Sequence, residues 1–258
     1  MKHLIFLLAA LLLAAVPALS EDHAILEFRS LITVNGNATL HVAETITYRT
    51  AQGNGTEGPV RSFPASHATP DGGRIDSRPK VLALTLDGTM LPHETTQGTD
   101  EYLLPLYEAG TVPSPGDHSC VIEYLVDGQV LLGKDADALA WPVTGFAWDV
   151  PVASAQAFVS IPGNPIVADM RGWTGIPGET GTDLEFGFTD KGLPWFRTTR
   201  ELPPGTGLSL FVAWPKGLVE ESGGFLGSWN WTSPLALGIS GLLALAIVFA
   251  AVVLRKRR

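Results

Sequence analysis

Leu235 to Leu254 runs for 20 residues without a charge, LALGISGLLALAIVFAAVVL. A helix needs about that length to cross a hydrocarbon core of roughly 30 Å. Arg255, Lys256, Arg257 and Arg258 follow directly, and basic residues beside a span mark its cytoplasmic side. The expectation is a single transmembrane helix over 234–254, a cytoplasmic basic stub over 255–258, and everything earlier outside the cytoplasm. The other end agrees: Lys2 precedes the short apolar run Leu4 to Val16, and Pro17-Ala18-Leu19-Ser20 carries small residues of the kind a signal peptidase reads. Residues 1–20 are therefore expected to be a signal peptide, and the protein a single-pass one in the cell membrane.

Between these ends the chain reads as strands and turns. Ala24 to Val34 is extended, Asn35-Gly36 is a strong hairpin signal, and Thr39 to Tyr48 alternates so that Leu40, Val42, Glu44, Ile46 and Tyr48 share one face. Val60 to Phe63, Val81 to Leu86, Glu101 to Tyr107, His118 to Val126, Ala155 to Ile161, Ile166 to Met170, Asp183 to Phe188, Trp195 to Arg200 and Gly207 to Trp214 continue the pattern. Turns recur about every 8–12 residues, and no window keeps a helical period; Ala136 to Leu139 is expected to form a turn of helix at most. The fold class is all-β: an antiparallel β-sandwich, one or two packed together, over 21–217. A juxtamembrane linker over 218–233 then leads to the single C-terminal transmembrane helix.

Charge narrows the partners. The chain holds 17 basic and 26 acidic residues, and residues 21–233 keep all 26 acids against 12 bases, a net of −14. Such a surface repels nucleic-acid phosphate and anionic head groups. The one cysteine, Cys120, excludes an internal disulfide. It shares a strand face with His118, Ile122, Tyr124 and Val126 and reads as a small apolar core residue, since no neighbouring base lowers its pKa.

Several pieces together resemble the bacterial predicted-membrane-protein family of the domain-of-unknown-function 2207 type. They are LHVAETITY (Leu40 to Tyr48), Val60-Arg61, PGDHSCVIEY (Pro115 to Tyr124), AWPVTGFAWDVPV (Ala140 to Val152), WTGIPG (Trp173 to Gly178) and LPPGTGLSLFVAWPKG (Leu202 to Gly217). The resemblance implies an extracytoplasmic β domain tied to a membrane. It carries no catalytic residues over to this chain.

The candidate site residues each have two readings. Glu44 lies on the apolar face of its strand, where a charge must be paired or exposed. It either faces a ligand or pairs structurally with Arg61, and pairing is favoured. Trp141 and Trp148 are either core or the lining of a stacking groove, with core favoured. Trp173 and Trp195, beside Gly or Pro, read as loop-exposed aromatics. The acidic pairs Asp100-Glu101, Asp135-x-Asp137 and Asp183-x-Glu185 lack calcium-loop spacing and read as solvated loop charge. No zinc spacing, nucleophile elbow or phosphate loop is present, so no metal and no cofactor are expected. Ala236, Ser240 and Ala244 put small residues on one face of the span, a candidate helix–helix contact.

These features lead to the expectation of a non-enzymatic, membrane-anchored binding or interaction module. Its expected partners are the bilayer, an envelope or membrane protein, or further copies of itself. A carboxylate-dependent envelope hydrolase and an oligomerising assembly protein are the alternatives.

Overall fold

A computed structural model describes residues 23–51, 58–68, 74–108, 110–111 and 113–220. The segments expected to be a signal peptide, a transmembrane helix with Ala236, Ser240 and Ala244, and a basic stub lie outside the described residues. Among the described residues no helix is long and apolar enough to cross a membrane.

The described chain is all-β. An eight-stranded sheet runs in the order β15 (Leu184–Phe188), β16 (Pro194–Thr198), β13 (Ala155–Ser160), β1 (Ala24–Val34), β2 (Leu40–Thr50), β10 (Gly116–Val126), β6 (Lys80–Leu86) and β7 (Thr89–Met90). A four-stranded sheet follows the order β11 (Val130–Leu132), β12 (Ala136–Pro142), β17 (Gly207–Pro215), β14 (Asp169–Gly175). A three-stranded sheet joins β3 (Val60–Pro64), β9 (Glu101–Pro105) and β8 (Thr96–Gln97), and β4 (Ser66–Ala68) pairs with β5 (Arg74–Asp76).

One pairing departs from the antiparallel expectation. β1 and β13 run parallel, with Phe28 opposite Ala155 and Thr33 opposite Ser160. β12 to β13 is a long excursion through the four-stranded sheet's neighbourhood, so β13 returns to the long sheet in the direction of β1. Parallel partners require such crossovers, whereas a hairpin cannot make them.

The strand β2 shows why these residues form this sheet. Its burial alternates without a break, Leu40, Val42, Glu44, Ile46, Tyr48 and Thr50 inward and the intervening residues half-exposed. β10 repeats the pattern with His118, Cys120, Ile122, Tyr124 and Val126 buried. One face of the long sheet is thus core and the other meets solvent. β17 supplies the opposite wall: Leu208, Leu210, Val212 and Trp214 join the same core as Phe28, Ile46 and Tyr124. Its other face, Phe211 and Ala213, packs with Ala138, Ala140 and Trp173 in a small second cluster.

The hairpin expected at Asn35-Gly36 forms, and two other local expectations change. The β1–β2 connection spans Asn35 to Thr39, closed by Asn35 N–H to Thr39 O at 2.8 Å and Ala38 N–H to Asn35 O at 3.0 Å. Ala38, at φ 64°, takes the left-handed position there. Ala136 to Leu139 is strand β12, held by β17 on one side and β11 on the other; sheet pairing overrides the weak helical propensity of its alanines. Packing also continues past Gly217. Val219 is buried against the core and Glu220 N–H donates to Gly36 O at 2.6 Å, so the folded part reaches into the segment read as linker.

Candidate functional site

Glu44 sits at the middle of β2 with its side chain fully buried. The strand's alternation leaves no choice of face: flanked by Val42 and Ile46, position 44 must point into the core. Arg61, on β3, enters from the three-stranded sheet and is also buried. Its Nε donates to Glu44 Oε2 at 2.9 Å and its Nη2 to Oε1 at 2.8 Å, a two-pronged pair. Tyr124 of β10 adds a hydroxyl donor to Glu44 Oε1 at 2.8 Å.

The remaining guanidinium hydrogens reach backbone. Nη1 donates to Thr144 O at 3.0 Å and to Ser62 O at 3.1 Å, and Nη2 to Val143 O at 3.3 Å. A guanidinium has five N–H donors, and here each has a partner. Trp148 Nε1 donates to Thr144 O at 2.8 Å, and the Thr144 hydroxyl accepts from Leu208 N–H at 3.0 Å. The guanidinium also lies over the rings of Phe63, at 4.9 Å, and Phe28, at 5.5 Å. Gly145 makes room for it. Its φ is +71°, and a Cβ there would come within 2.7 Å of Arg61 Nη1.

Electrostatics follow from this enclosure. Burial works against the Arg61 charge, but the field and hydrogen bonds of Glu44 outweigh it and hold the guanidinium above its usual range. Burial, then the Glu44 charge, pushes the Tyr124 hydroxyl well above its usual value. Burial likewise raises the Cys120 thiol to about 12, with Glu44 and Asp87 adding to it. None of these groups is poised to exchange a proton near neutral pH. The cluster is a charged brace joining the long sheet, the three-stranded sheet and the 143–145 corner.

The pairing reading of Glu44 and Arg61 therefore describes what the chain does. Trp141 and Trp148 are core: both are buried, and Trp148 meets Phe28 edge-on with ring centroids 6.4 Å apart. Trp173 and Trp195 do not lie on loops. Trp173 is on β14, half-buried in the second cluster, and Trp195 is on β16, half-buried with the Arg197 guanidinium 5.8 Å over its ring. Neighbouring Gly and Pro misled the reading because both residues sit inside strand pairings. Asp137 is likewise not a solvated loop charge. It is fully buried on β12, 3.5 Å from Lys216 Nζ. Burial raises its carboxyl, opposed by the lysine.

Tyr124 and the carbonyls of Val143 and Thr144 are the partners that sequence reasoning missed. Tyr124 had a signal, since it occupies an inward position of its strand, and a buried tyrosine hydroxyl usually seeks a partner. The carbonyls had none.

Other acids are bound to arginines at the surface: Asp117 with Arg49, Asp169 with Arg171, Asp183 with Arg200, and Glu185 with Arg197. Among the described residues no group of three or more His, Cys, Asp or Glu converges as metal ligands would. A groove of about 540 Å³ is lined by Arg78, Pro79, Lys80, Val81, His93, Glu94 and Thr95.

Residues 24–214 match the family described as the N-terminal domain of a predicted membrane protein (DUF2207), and the chain belongs to that family. No curated protein sequence matches it. Solved structures with a distant likeness include leukotriene A4 hydrolase of Saccharomyces cerevisiae, 10% identical, with a TM-score of 0.43 over 74% of this chain and 29% of that one. Another is an M1 zinc metallopeptidase of Deinococcus radiodurans, 12% identical, with a TM-score of 0.37 over 73% of this chain and 42% of that one. The chain thus spans well under half the length of either.

Proposed function

We propose that this DUF2207 domain is a membrane-anchored extracytoplasmic interaction module, binding a partner rather than transforming a substrate. The observation that carries the reading is the closure of the Glu44–Arg61–Tyr124 cluster. The most chemically capable residues of the chain spend their hydrogen bonds on one another and on backbone. Glu44 keeps the Arg61 guanidinium charged and burial keeps the Tyr124 hydroxyl protonated, which suits a rigid scaffold and not general acid–base work. The uncharged run Leu235 to Leu254 and the basic residues after it support a single span with the β domain outside.

The experiment is crosslinking of the intact protein in its membrane, mild detergent extraction, and mass spectrometry of what stays attached. A stoichiometric foreign membrane or envelope protein is the expected result. Hydrolysis of a defined envelope substrate by the purified protein, abolished by a folded Glu44→Gln variant, would contradict the reading. Self-contacts alone, lost on replacing Ala236, Ser240 and Ala244 with Leu, would instead favour an oligomerising assembly protein.

A further inference from the structure

Following the strands to their ends separates the sandwich into two poles. At one pole lie the β1–β2 turn, the end of β10 at Val126 opposite Leu40, and the end of β13 at Ser160 opposite Thr33. The end of β17 joins them, since Glu220 N–H donates to Gly36 O. This is the pole where the chain departs. Only residues 221–234 separate it from the uncharged run beginning at Leu235, roughly 50 Å if fully extended.

The lysines gather at this pole. Between residues 23 and 220 there are four: Lys80, Lys134, Lys191 and Lys216. Lys80 is opposite Leu125, next to the end of β10. Lys134 is in the turn leading to Ala136, which faces Pro215 at the end of β17. Lys191 is in the β15–β16 turn, where its carbonyl accepts from Asn164 Nδ2 at 2.9 Å. Lys216 follows β17 directly. All four are exposed, and against the exposed acids Asp127, Asp135, Asp190 and Glu220 and the buried Asp137 beside Lys216 they leave this pole close to neutral. The domain's large acidic excess therefore lies elsewhere.

The same pole exposes apolar surface. Ile166, in the loop from β13 to β14, is 90% exposed, and Phe188, the last residue of β15, is 53% exposed. The Asn164–Lys191 hydrogen bond ties the two loops together, so Ile166, Phe188 and Lys191 belong to one rim. Two exposed apolar side chains beside a lysine suit a surface of phosphate head groups over acyl chains.

We infer that this pole rests on the outer face of the bilayer, with Ile166 and Phe188 at the headgroup–acyl boundary and Lys134 and Lys191 against anionic phospholipid phosphates. The inference rests on the membrane-anchored reading and adds an orientation to it. The acidic remainder of the domain is held off the lipid and presented outward.

The test uses the full-length protein in vesicles of phosphatidylcholine, with or without about one quarter phosphatidylglycerol. An environment-sensitive thiol dye is placed at Ile166→Cys or, at the opposite pole, at Glu201→Cys, and brominated lipid is the quencher. Cys120 is buried and leaves the dye to the new thiol. Quenching at position 166 and none at 201 is expected. It should rise roughly twofold with phosphatidylglycerol and lose that rise at high salt and in a Lys134→Glu, Lys191→Glu variant. A protein retained in the vesicles but unquenched at 166, or quenched more at 201, overturns the orientation and leaves anchoring intact. Quenching that ignores phosphatidylglycerol overturns the lysine contact. A protein that washes off the vesicles breaks the anchored reading itself.

Discussion

Two ion pairs fasten peripheral segments to the long sheet, and they occupy opposite electrostatic settings. Glu44 and Arg61 meet in the core with both side chains buried. His118 and Asp87 meet at a corner: His118 is largely covered, while half of the Asp87 side chain is exposed. His118 Nδ1 lies 2.8 Å from Asp87 Oδ2 and Nε2 lies 2.7 Å from Ser114 O. Both neighbours are acceptors, so the ring fits best with a proton on each nitrogen. Asp87 also accepts from Ser119 N–H at 2.8 Å. Arg61 is held charged by Glu44 throughout the neutral range, whereas His118 can lose its proton as pH rises. The kind of base decides which pair is a permanent brace and which responds to conditions: a guanidinium stays charged across the neutral range, and an imidazole titrates within it.

The largest effect should come from leaving one buried charge alone. Arg61→Met strips Glu44 of its counter-charge and is expected to cost about 3–5 kcal/mol, read by urea unfolding of the full-length protein in mild detergent. A cost near that of a surface substitution would erase the contrast between the two pairs. Gly145→Ala comes next. It strains a left-handed backbone position and crowds Arg61 Nη1, and about 1–3 kcal/mol is expected. An unchanged midpoint would mean the corner shifts freely.

The corner pair should show itself through pH. Burial lowers the His118 value, but the Ser114 carbonyl and Asp87 outweigh it, so the value is raised. Its folded-state contribution is therefore complete below about 6.5 and fades as pH rises through the higher folded value. Asp87 is held low, chiefly by His118 and then by Ser119 N–H. Its contribution is present above the ordinary carboxylate range and is lost as pH falls through the depressed value. Asp117 also faces His118, and Tyr48 stacks near it with ring centroids 5.3 Å apart. His118→Gln should therefore cost most in mildly acidic buffer and least in alkaline buffer. A cost independent of pH would show the ring to be neutral throughout. The smallest effect is expected from Arg49→Ala, which breaks an exposed pair with Asp117. Its midpoint should barely move, and any difference should vanish at high salt.

What could be read in the chain follows the range of the interaction. The alternation of β2 marks Glu44 as an inward charge, and its partner is Arg61, the next arginine but one along the chain. The all-β class, the faces of β10 and β17, and the inert Cys120 follow from the same local period. Longer-range facts had no local mark. The parallel β1–β13 pairing joins segments more than a hundred residues apart, and the lysine that faces the buried Asp137, Lys216, comes from just past the end of β17. Trp173 and Trp195 were misplaced because Gly and Pro beside them signal turns, while their strand partners lie elsewhere in the chain. The Val143 and Thr144 carbonyls could not have been found, since every residue has one. They matter here because the quoted pieces of sequence around Glu44, Arg61, Tyr124, Thr144 and Leu208 all close on one point.

The most direct measurement is on the double variant Glu44→Leu, Arg61→Met in the intact membrane protein, taking the unfolding midpoint and the crosslinked partners together. If the cluster is a brace, removing both charges recovers most of the stability lost in Arg61→Met, and the partner set is unchanged. A double variant that folds as the native chain does but loses its partner would contradict this and make Glu44 and Arg61 part of the binding surface.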